Sequence, residues 1–188
     1  MINELKQYAK AHHVPIISDD GLLFLKHIFE SQQIKDVLEI GTAIGYSAIV
    51  MASWGARIDT FERNKDMIDQ AKRHIEISDM KHQVTLIPED ALTYQGILKF
   101  YDLIFIDAAK SQYQKFFEKY TPYLNPGGIV ICDNLSFHNL KPENVNRHTR
   151  QLLKKIDSFK SFLVEHKGFN TEFFTIGDGM SLSKRIAI

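Results

Sequence analysis

The hydrophobic positions of this chain fall into short continuous runs separated by stretches of helical spacing. Val37, Leu38 and Ile40 form the first run, followed by Arg57 to Phe61, Val84 to Ile87, Tyr101 to Ile106 and Ile129 to Cys132. Runs of this length and composition read as parallel strands buried on both faces. Between them the period changes to that of a helix. Ala48 to Ala52 opens one packed helix, and Asn64 caps another that runs to about Ile77 with Met67, Ile68, Ala71, Ile75 and Ile77 on one side. Tyr113, Phe116, Phe117 and Tyr120 mark a third. Ahead of the first strand, Ile2, Leu5, Tyr8 and Ala9 predict a helix to His12. A second helix carries a stripe of Leu22, Leu23, Leu25, Ile28 and Phe29, with Asp19 or Asp20 as its cap. These two helices have three possible roles: covering the sheet, lining a substrate mouth or pairing with another subunit. Phe137 to about Asn146 lacks periodicity and reads as a loop. A long helix from about Val145 to His166 follows, with Leu152, Leu153, Ile156, Phe159 and Leu163 as its stripe. Thr171 to Ile176 and Met180 to Ile186, joined through Gly177-Asp178-Gly179, read as a closing hairpin. The pattern predicts an α/β fold: a mostly parallel seven-stranded sheet with a C-terminal antiparallel hairpin and helices on both faces. Residues 1–188 are expected to form one domain, with N-terminal helices in 1–33 and the core in 36–188.

Composition narrows the class without changing that picture. The 188 residues are 44% hydrophobic and 24% charged, as expected of a soluble domain with a full-sized core. No apolar run approaches the roughly 20 residues of a membrane span, and Met1 to Lys10 lacks the core of a signal peptide, so a cytoplasmic location is expected. Cys132 is the only cysteine, which excludes an intramolecular disulfide; in its apolar run it reads as a small core residue. The histidines lack metal-ligand spacing and read as surface or capping residues. Lys+Arg and Asp+Glu are equal at 23 each, so any polyanion contact must come from a local patch. Between Lys141 and Lys160 the bases Lys141, Arg147, Arg150, Lys154, Lys155 and Lys160 outnumber Glu143 and Asp157, the strongest local basic bias in the chain.

The candidate chemistry sits at the ends of the predicted strands. VLEIGTAIGYSA, from Val37 to Ala48, is a strand, a glycine turn and a helix start, an arrangement that holds nucleotide-like ligands but also serves as a plain connection. Gly41 and Gly45 stand too far apart for G-x-G-x-x-G and no third glycine follows, which argues against a dinucleotide. Glu62 lies about twenty residues after Gly41, where an acid at the end of the second strand commonly takes ribose hydroxyls. Asp90 ends the third strand, facing an adenine amino group, capping a helix, or both. Asp107 ends the fourth strand and Asp133-Asn134 the fifth. Together they offer two carboxylates and one amide, an oxygen set suited to a hard cation such as Mg²⁺.

In this order, LEIGTAIGYSA, FERN, PEDA, FIDAAK, PGGIVICDN and GDGMSLSK resemble the cation-dependent O-methyltransferases related to the catechol and caffeoyl-CoA enzymes. The likeness covers nearly the whole chain. VPI, EIGTAIGYSA and IDAAKSQYQKFF are most similar to the branch of bacterial tRNA 5-hydroxyuridine methyltransferases, which make 5-methoxyuridine at the wobble position. The resemblance implies a Rossmann-like class I methyltransferase fold. It places Glu39, Gly41 and Ser47 around the methionine part of S-adenosylmethionine, Glu62 at its ribose, Asp90 and Ala91 at its adenine, and Ile17 above it. It makes Asp107, Asp133 and Asn134 the metal ligands, with Asp107 also toward the cofactor's amino group and Lys110 the general base.

The expected function is therefore S-adenosylmethionine- and Mg²⁺-dependent O-methylation of 5-hydroxyuridine in tRNA, by a homodimer as in many relatives. Lys141, Arg147, Arg150, Lys154 and Lys155 would meet the RNA. The chain is shorter than the plant enzymes at its N-terminus, which suits an acceptor presented by a large RNA, whereas its neutral net charge suits RNA less well. Two alternatives stand beside this: methylation of a small catechol-like or caffeoyl-CoA-like compound, and a nucleotide-binding module resembling a dehydrogenase.

Overall fold

The computed structural model describes residues 1–136 and 145–186. Its strands are β1 (Asp36–Ile40), β2 (Arg57–Phe61), β3 (Val84–Ile87), β4 (Tyr101–Ile106), β5 (Leu124–Cys132), β6 (Phe169–Phe174) and β7 (Met180–Arg185). They form one seven-stranded sheet in the order β3-β2-β1-β4-β5-β7-β6. The first five are parallel, and β7 runs antiparallel to both β5 and β6, as the hairpin signal predicted. The strand order reverses between β1 and β4, so their carboxyl ends diverge around a crevice. Backbone hydrogen bonds carry the ladder past the strand ends: Thr42 N to Phe61 O, Asp107 N to Ile40 O (both 3.0 Å) and Asp133 N to Ile106 O (3.1 Å). The residues after each strand are thereby held in register along one edge.

Two apolar layers cover the sheet. Val37, Ile58, Leu103, Phe105, Ile129 and Ile131 face α1 (Ile2–Ala11), α2 (Asp19–Gln32), α3 (Tyr46–Ser53) and α4 (Lys65–Ile77). Their neighbours in sequence, Leu38, Ile40, Ile104, Ile106, Val130 and Cys132, face α5 (Tyr113–Tyr120) and α6 (Arg147–Glu165). Where both faces are buried, in β4 and the last part of β5, the strand reads as a nearly unbroken apolar run. α3 is apolar all round and buried at seven positions from Tyr46 to Ala52, since it lies beneath α1 and α2 as well as on the sheet. The N-terminal helices thus cover the sheet, through Leu5, Ala9, Leu25 and Phe29.

Several expectations are corrected. The α2 cap is Ser18, whose hydroxyl accepts from Gly21 N at 3.1 Å, and not Asp19 or Asp20, which occupy the first turn. Leu23 and Ile77 leave their predicted stripes and are 64% and 61% exposed, having turned past the edge of the apolar face. β5 begins five residues earlier than the run from Ile129, because Pro126-Gly127-Gly128 is absorbed as an irregularity in pairing with β4 rather than standing outside the strand. His74 is buried, its Nδ1 donating to the Ile44 carbonyl at 2.8 Å. Cys132 is the buried core residue expected of it, and burial pushes its thiol up to about 12. No helix among the described residues is long and apolar enough to cross a membrane.

The second layer centres on Phe117, which is fully buried and meets the rings of Phe159, Phe162, His166 and Phe169 edge-on. Replacing it with alanine is expected to lower the unfolding free energy by about 3–5 kcal/mol, measured by denaturant titration.

Candidate active site

A cleft of about 570 Å³ opens at the carboxyl ends of β1 to β5. Its walls gather Ile17, Gly41, Ser47, Glu62, Asp90, Ala91, Asp107, Lys110 and Asn134, residues scattered across the sequence. Gly41 makes this possible. Its φ is +110°, and a Cβ there would lie 2.0 Å from the Asp107 carbonyl oxygen, so only glycine lets the loop after β1 press against the end of β4.

Glu62 holds the other side of that loop. One oxygen accepts from Ala43 N at 2.8 Å, the other from the N–H groups of Arg63 and Asn64, both at 2.9 Å. Three of the carboxylate's roughly four acceptor positions are therefore taken by backbone, leaving about one for a ligand hydroxyl. Asp90 accepts from Leu92 N (2.8 Å) and pairs with Arg63 (2.9 Å); these contacts hold its carboxyl below the usual range, the backbone bond contributing most. No helix follows it: Asp90 closes a turn over Ala91–Thr93, so its predicted capping role is transferred to that turn. Ala91, Phe61, Leu92 and Phe116 make this end of the cleft apolar.

Glu39 is placed differently from expectation. It is fully buried behind the wall, accepting from the hydroxyls of Ser47 and Thr60, both at 2.5 Å, and does not line the cleft. Thr60 spends its proton on Glu39, so the 2.6 Å contact with Thr42 is a bond donated by Thr42. This network stiffens the loop from beneath. Burial pushes the Glu39 carboxyl up to about 7.

At the other end the structure brings together Asp107, Asp133, Asn134 and Lys110. Asn134 is in the left-handed region at φ +62°. Its backbone N–H donates to Asp133 and its side-chain amide to Asp107, both at 2.7 Å, so the three residues form one unit. Asp133 is buried and its backbone carbonyl accepts from the Tyr113 hydroxyl at 2.9 Å. Burial raises Asp107 to about 7 and Asp133 to about 6, and the Asp133 charge adds to the rise at Asp107. The described residues contain no metal-ligating group of three or more histidine, cysteine or acidic side chains. What they offer is the predicted pair of carboxylates with one amide, whose orientation is reversible. Mutually repelling oxygen donors held in a buried corner fit a hard divalent cation, which would remove the repulsion.

Lys110 is half-buried, which lowers its pKa, while Asp178, Asp107 and Asp133 act against that shift. Asp178 went unrecognised as a site residue because Gly-Asp-Gly reads as a hairpin turn. That turn is bound to the segment after β5, Leu135 N to Gly179 O at 2.8 Å and Ser136 N to Asp178 O at 2.5 Å, which brings the acid into the cleft wall. Tyr46, Arg63, Gln112 and Phe116 are further wall residues without a sequence signal of their own.

A shallower groove continues from the cleft between α5 and α6. It shares Lys110, Ser111 and Gln112 with the cleft and adds Lys115, Glu118, Lys155 and Ser158. Of the predicted RNA contacts, Arg147, Arg150, Lys154 and Lys155 are exposed on α6, Lys155 alone reaches this groove, and Lys141 lies outside the described residues.

Raised carboxyls in the metal-free protein give stability that is complete below their unfolded values near pH 4 and is lost as pH rises through about 6 to 7. In a chelator, Asp107→Asn is therefore expected to melt several degrees above the wild type at pH 8, with the gap closing toward pH 5. Thermal scans at the two pH values measure this, and a gap that ignores pH counts against it.

The family of O-methyltransferases matches residues 1–186. Tapetum-specific methyltransferase 1 of Arabidopsis thaliana is 28% identical, over 97% of this chain and 82% of its own. A Staphylococcus aureus protein of known structure, described as a "putative caffeoyl-CoA O-methyltransferase", is 38% identical, covering 98% of this chain and 91% of its own with a TM-score of 0.92. The Bacillus cereus O-methyltransferase solved in complex with SAH is 25% identical, over 98% of this chain and 90% of its own, with a TM-score of 0.83. The dehydrogenase-like alternative falls with these matches, which agree with the wide glycine spacing and the acid pair: the chain belongs to the O-methyltransferase family.

Proposed function

We propose that the protein methylates a hydroxyl standing beside a second oxygen on its acceptor, using S-adenosylmethionine, and that this acceptor is 5-hydroxyuridine at the tRNA wobble position. The observation carrying the reading is the unit of Asp107, Asp133 and Asn134 beside Lys110, at one end of a cleft whose other end suits a nucleoside. When bound, S-adenosylmethionine would supply an electrophilic methyl group whose leaving group is a neutral thioether, and a divalent cation such as Mg²⁺ would supply a Lewis acid at the acceptor.

The chain's own residues do the rest. These residues line the cleft, where Asp90 and Ala91 would flank the adenine, Glu62 would use its remaining acceptor position on a ribose hydroxyl, Gly41, Ser47 and Asp107 would surround the amino-acid end, and Ile17 would lie above it. Asp107, Asp133 and Asn134 would hold the cation. Lys110, its ammonium disfavoured by burial, takes the acceptor hydroxyl proton on Nζ. The 5-hydroxyl and 4-carbonyl of 5-hydroxyuridine present two adjacent oxygens, as a catechol does.

A strand of RNA finds support in the groove that leaves the cleft beside Lys110, with Lys115 and Lys155 on its walls and Arg150 and Lys154 nearby on α6. The names of relatives favour a second reading. A caffeoyl-CoA O-methyltransferase of Populus kitakamiensis is 21% identical over 96% of this chain and 82% of its own, which points to a small catechol-like or caffeoyl-CoA-like acceptor. Both readings use the same acid pair. Mass spectrometry of tRNA nucleosides from cells lacking the gene separates them: 5-hydroxyuridine accumulates under the first, and unchanged nucleosides favour the second.

Asp133→Ala is expected to abolish methyl transfer while leaving S-adenosylmethionine affinity within a few fold, and Glu62→Ala to weaken that affinity at least about tenfold. Calorimetry with single-turnover assays measures both, and full activity in a chelator would remove the metal from the mechanism. The double reversal Lys154→Glu, Lys155→Glu should weaken binding of an anticodon stem-loop about tenfold or more at low salt, with cofactor affinity unchanged.

A further inference from the structure

Gln112 occupies a position that the mechanism leaves unused. It follows Lys110 by two residues, on the short 3₁₀ turn Lys110–Gln112 after β4, and it lines both the cleft and the groove. Its backbone is fixed, the N–H donating to the Ala109 carbonyl at 2.8 Å. Its side-chain carbonyl oxygen is buried and has no hydrogen-bond partner among the described residues. A buried carbonyl oxygen without a partner costs free energy in the resting protein, on the order of 1–3 kcal/mol, and a ligand that donates to it recovers that cost. Gln112 shares the cleft wall with Asp107, Asn134 and Lys110, the residues assigned to the acceptor end.

The acceptor's own chemistry supplies the missing partners. Around one edge of a 5-hydroxyuracil ring the groups run from the 5-hydroxyl to the 4-carbonyl, then to the N3–H donor, then to the 2-carbonyl. With the first two turned toward Asp107 and Asn134, the next two are a donor and an acceptor side by side. A primary amide complements that pair with both of its ends, as it does on other base edges. A catechol offers only C–H groups at the equivalent ring positions.

We propose that Gln112 reads the imide edge of the acceptor base, its carbonyl oxygen accepting from N3–H and its amide group donating to the 2-carbonyl, and so selects a uracil over a catechol. The inference rests on the 5-hydroxyuridine reading and assigns the discrimination within it to one side chain. A site built to pair a polar edge rejects analogues lacking that edge far more strongly than an apolar site would.

The test is a chemical double-mutant cycle. Wild type, Gln112→Leu and, as a second apolar isostere should the first fold poorly, Gln112→Met are assayed on an anticodon stem-loop carrying 5-hydroxyuridine or its N3-methyl derivative. Titration of S-adenosylmethionine checks that the cofactor half of the cleft is intact. On the unmethylated stem-loop the variants should lose about tenfold or more in kcat/KM, and N3-methylation should cost the wild type a similar factor. Applied together, the two changes should cost little more than either alone. Fully multiplicative losses, or a variant as active as wild type, would overturn the role of Gln112 while leaving the acceptor assignment standing. A wild type inactive on both stem-loops but active on a small catechol overturns the acceptor assignment itself, and this inference with it.

Discussion

The whole site depends on the contact between the Gly41 backbone and the carbonyl of Asp107. β1 and β4 are central, adjacent and parallel, and a side chain at Gly41 would collide with the backbone just past the end of β4. Without a Cβ at Gly41 the loop after β1 packs against the Asp107 backbone at the base of the crevice, so that loop and the first of the two acids form one floor. Glu62 then ties the far side of the loop to β2 through Ala43, and the buried Thr42, Thr60, Ser47 and Glu39 network braces it from below. The residues closest to the chemistry are held by backbone geometry and buried hydrogen bonds, which is how a site keeps its shape without a ligand.

The same compactness creates the site's electrostatic character. Parallel strands bring Glu39, Asp107 and Asp133 to one edge from β1, β4 and β5, and burial raises all three. The hydroxyls of Ser47 and Thr60 relieve Glu39, whereas Asp107 and Asp133 are joined by the Asn134 bridge and feel the attraction of Lys110. Negative charge is concentrated at a half-buried lysine beside a cleft, with Asp178 entering from the hairpin as a further acid. Such a corner favours a cation at the acids, while at the lysine burial favours the neutral amine and the surrounding acids oppose it.

Much of this was legible in the linear sequence because parallel strands buried on both faces announce themselves as unbroken apolar runs. The bounds of β2, β3 and β4 coincide with their runs, and the acids at the ends of β2 to β5 follow directly. Asn64 caps α4 as its side-chain chemistry predicted, accepting from Asp66 N and Met67 N. The failures also have physical reasons. Ser18 outcompetes Asp19 and Asp20 as a cap because the backbone, and not the side-chain preference alone, selects which residue stays extended. Glu39 lies behind the wall because residues alternate across a strand, and the side of the sheet edge it takes is fixed by packing against α3 and β2. Asp178 was hidden because a turn sequence carries no record of what the turn touches.

By itself the sequence determined the order and kind of the elements, the glycine turn too wide for a dinucleotide and the acids at the strand ends. Those features are local, set by periodicity and by the chemistry of neighbouring residues. Only the tertiary structure decided which acids share a space and which side chains were left without a partner. It placed Asp133 under the Asn134 bridge, brought Asp178 across from the hairpin, confined Glu62 to about one remaining acceptor position, and buried the Gln112 carbonyl at the acceptor end. Those outcomes depend on contacts between segments far apart in the chain, where distance in space is set by packing and not by spacing in sequence.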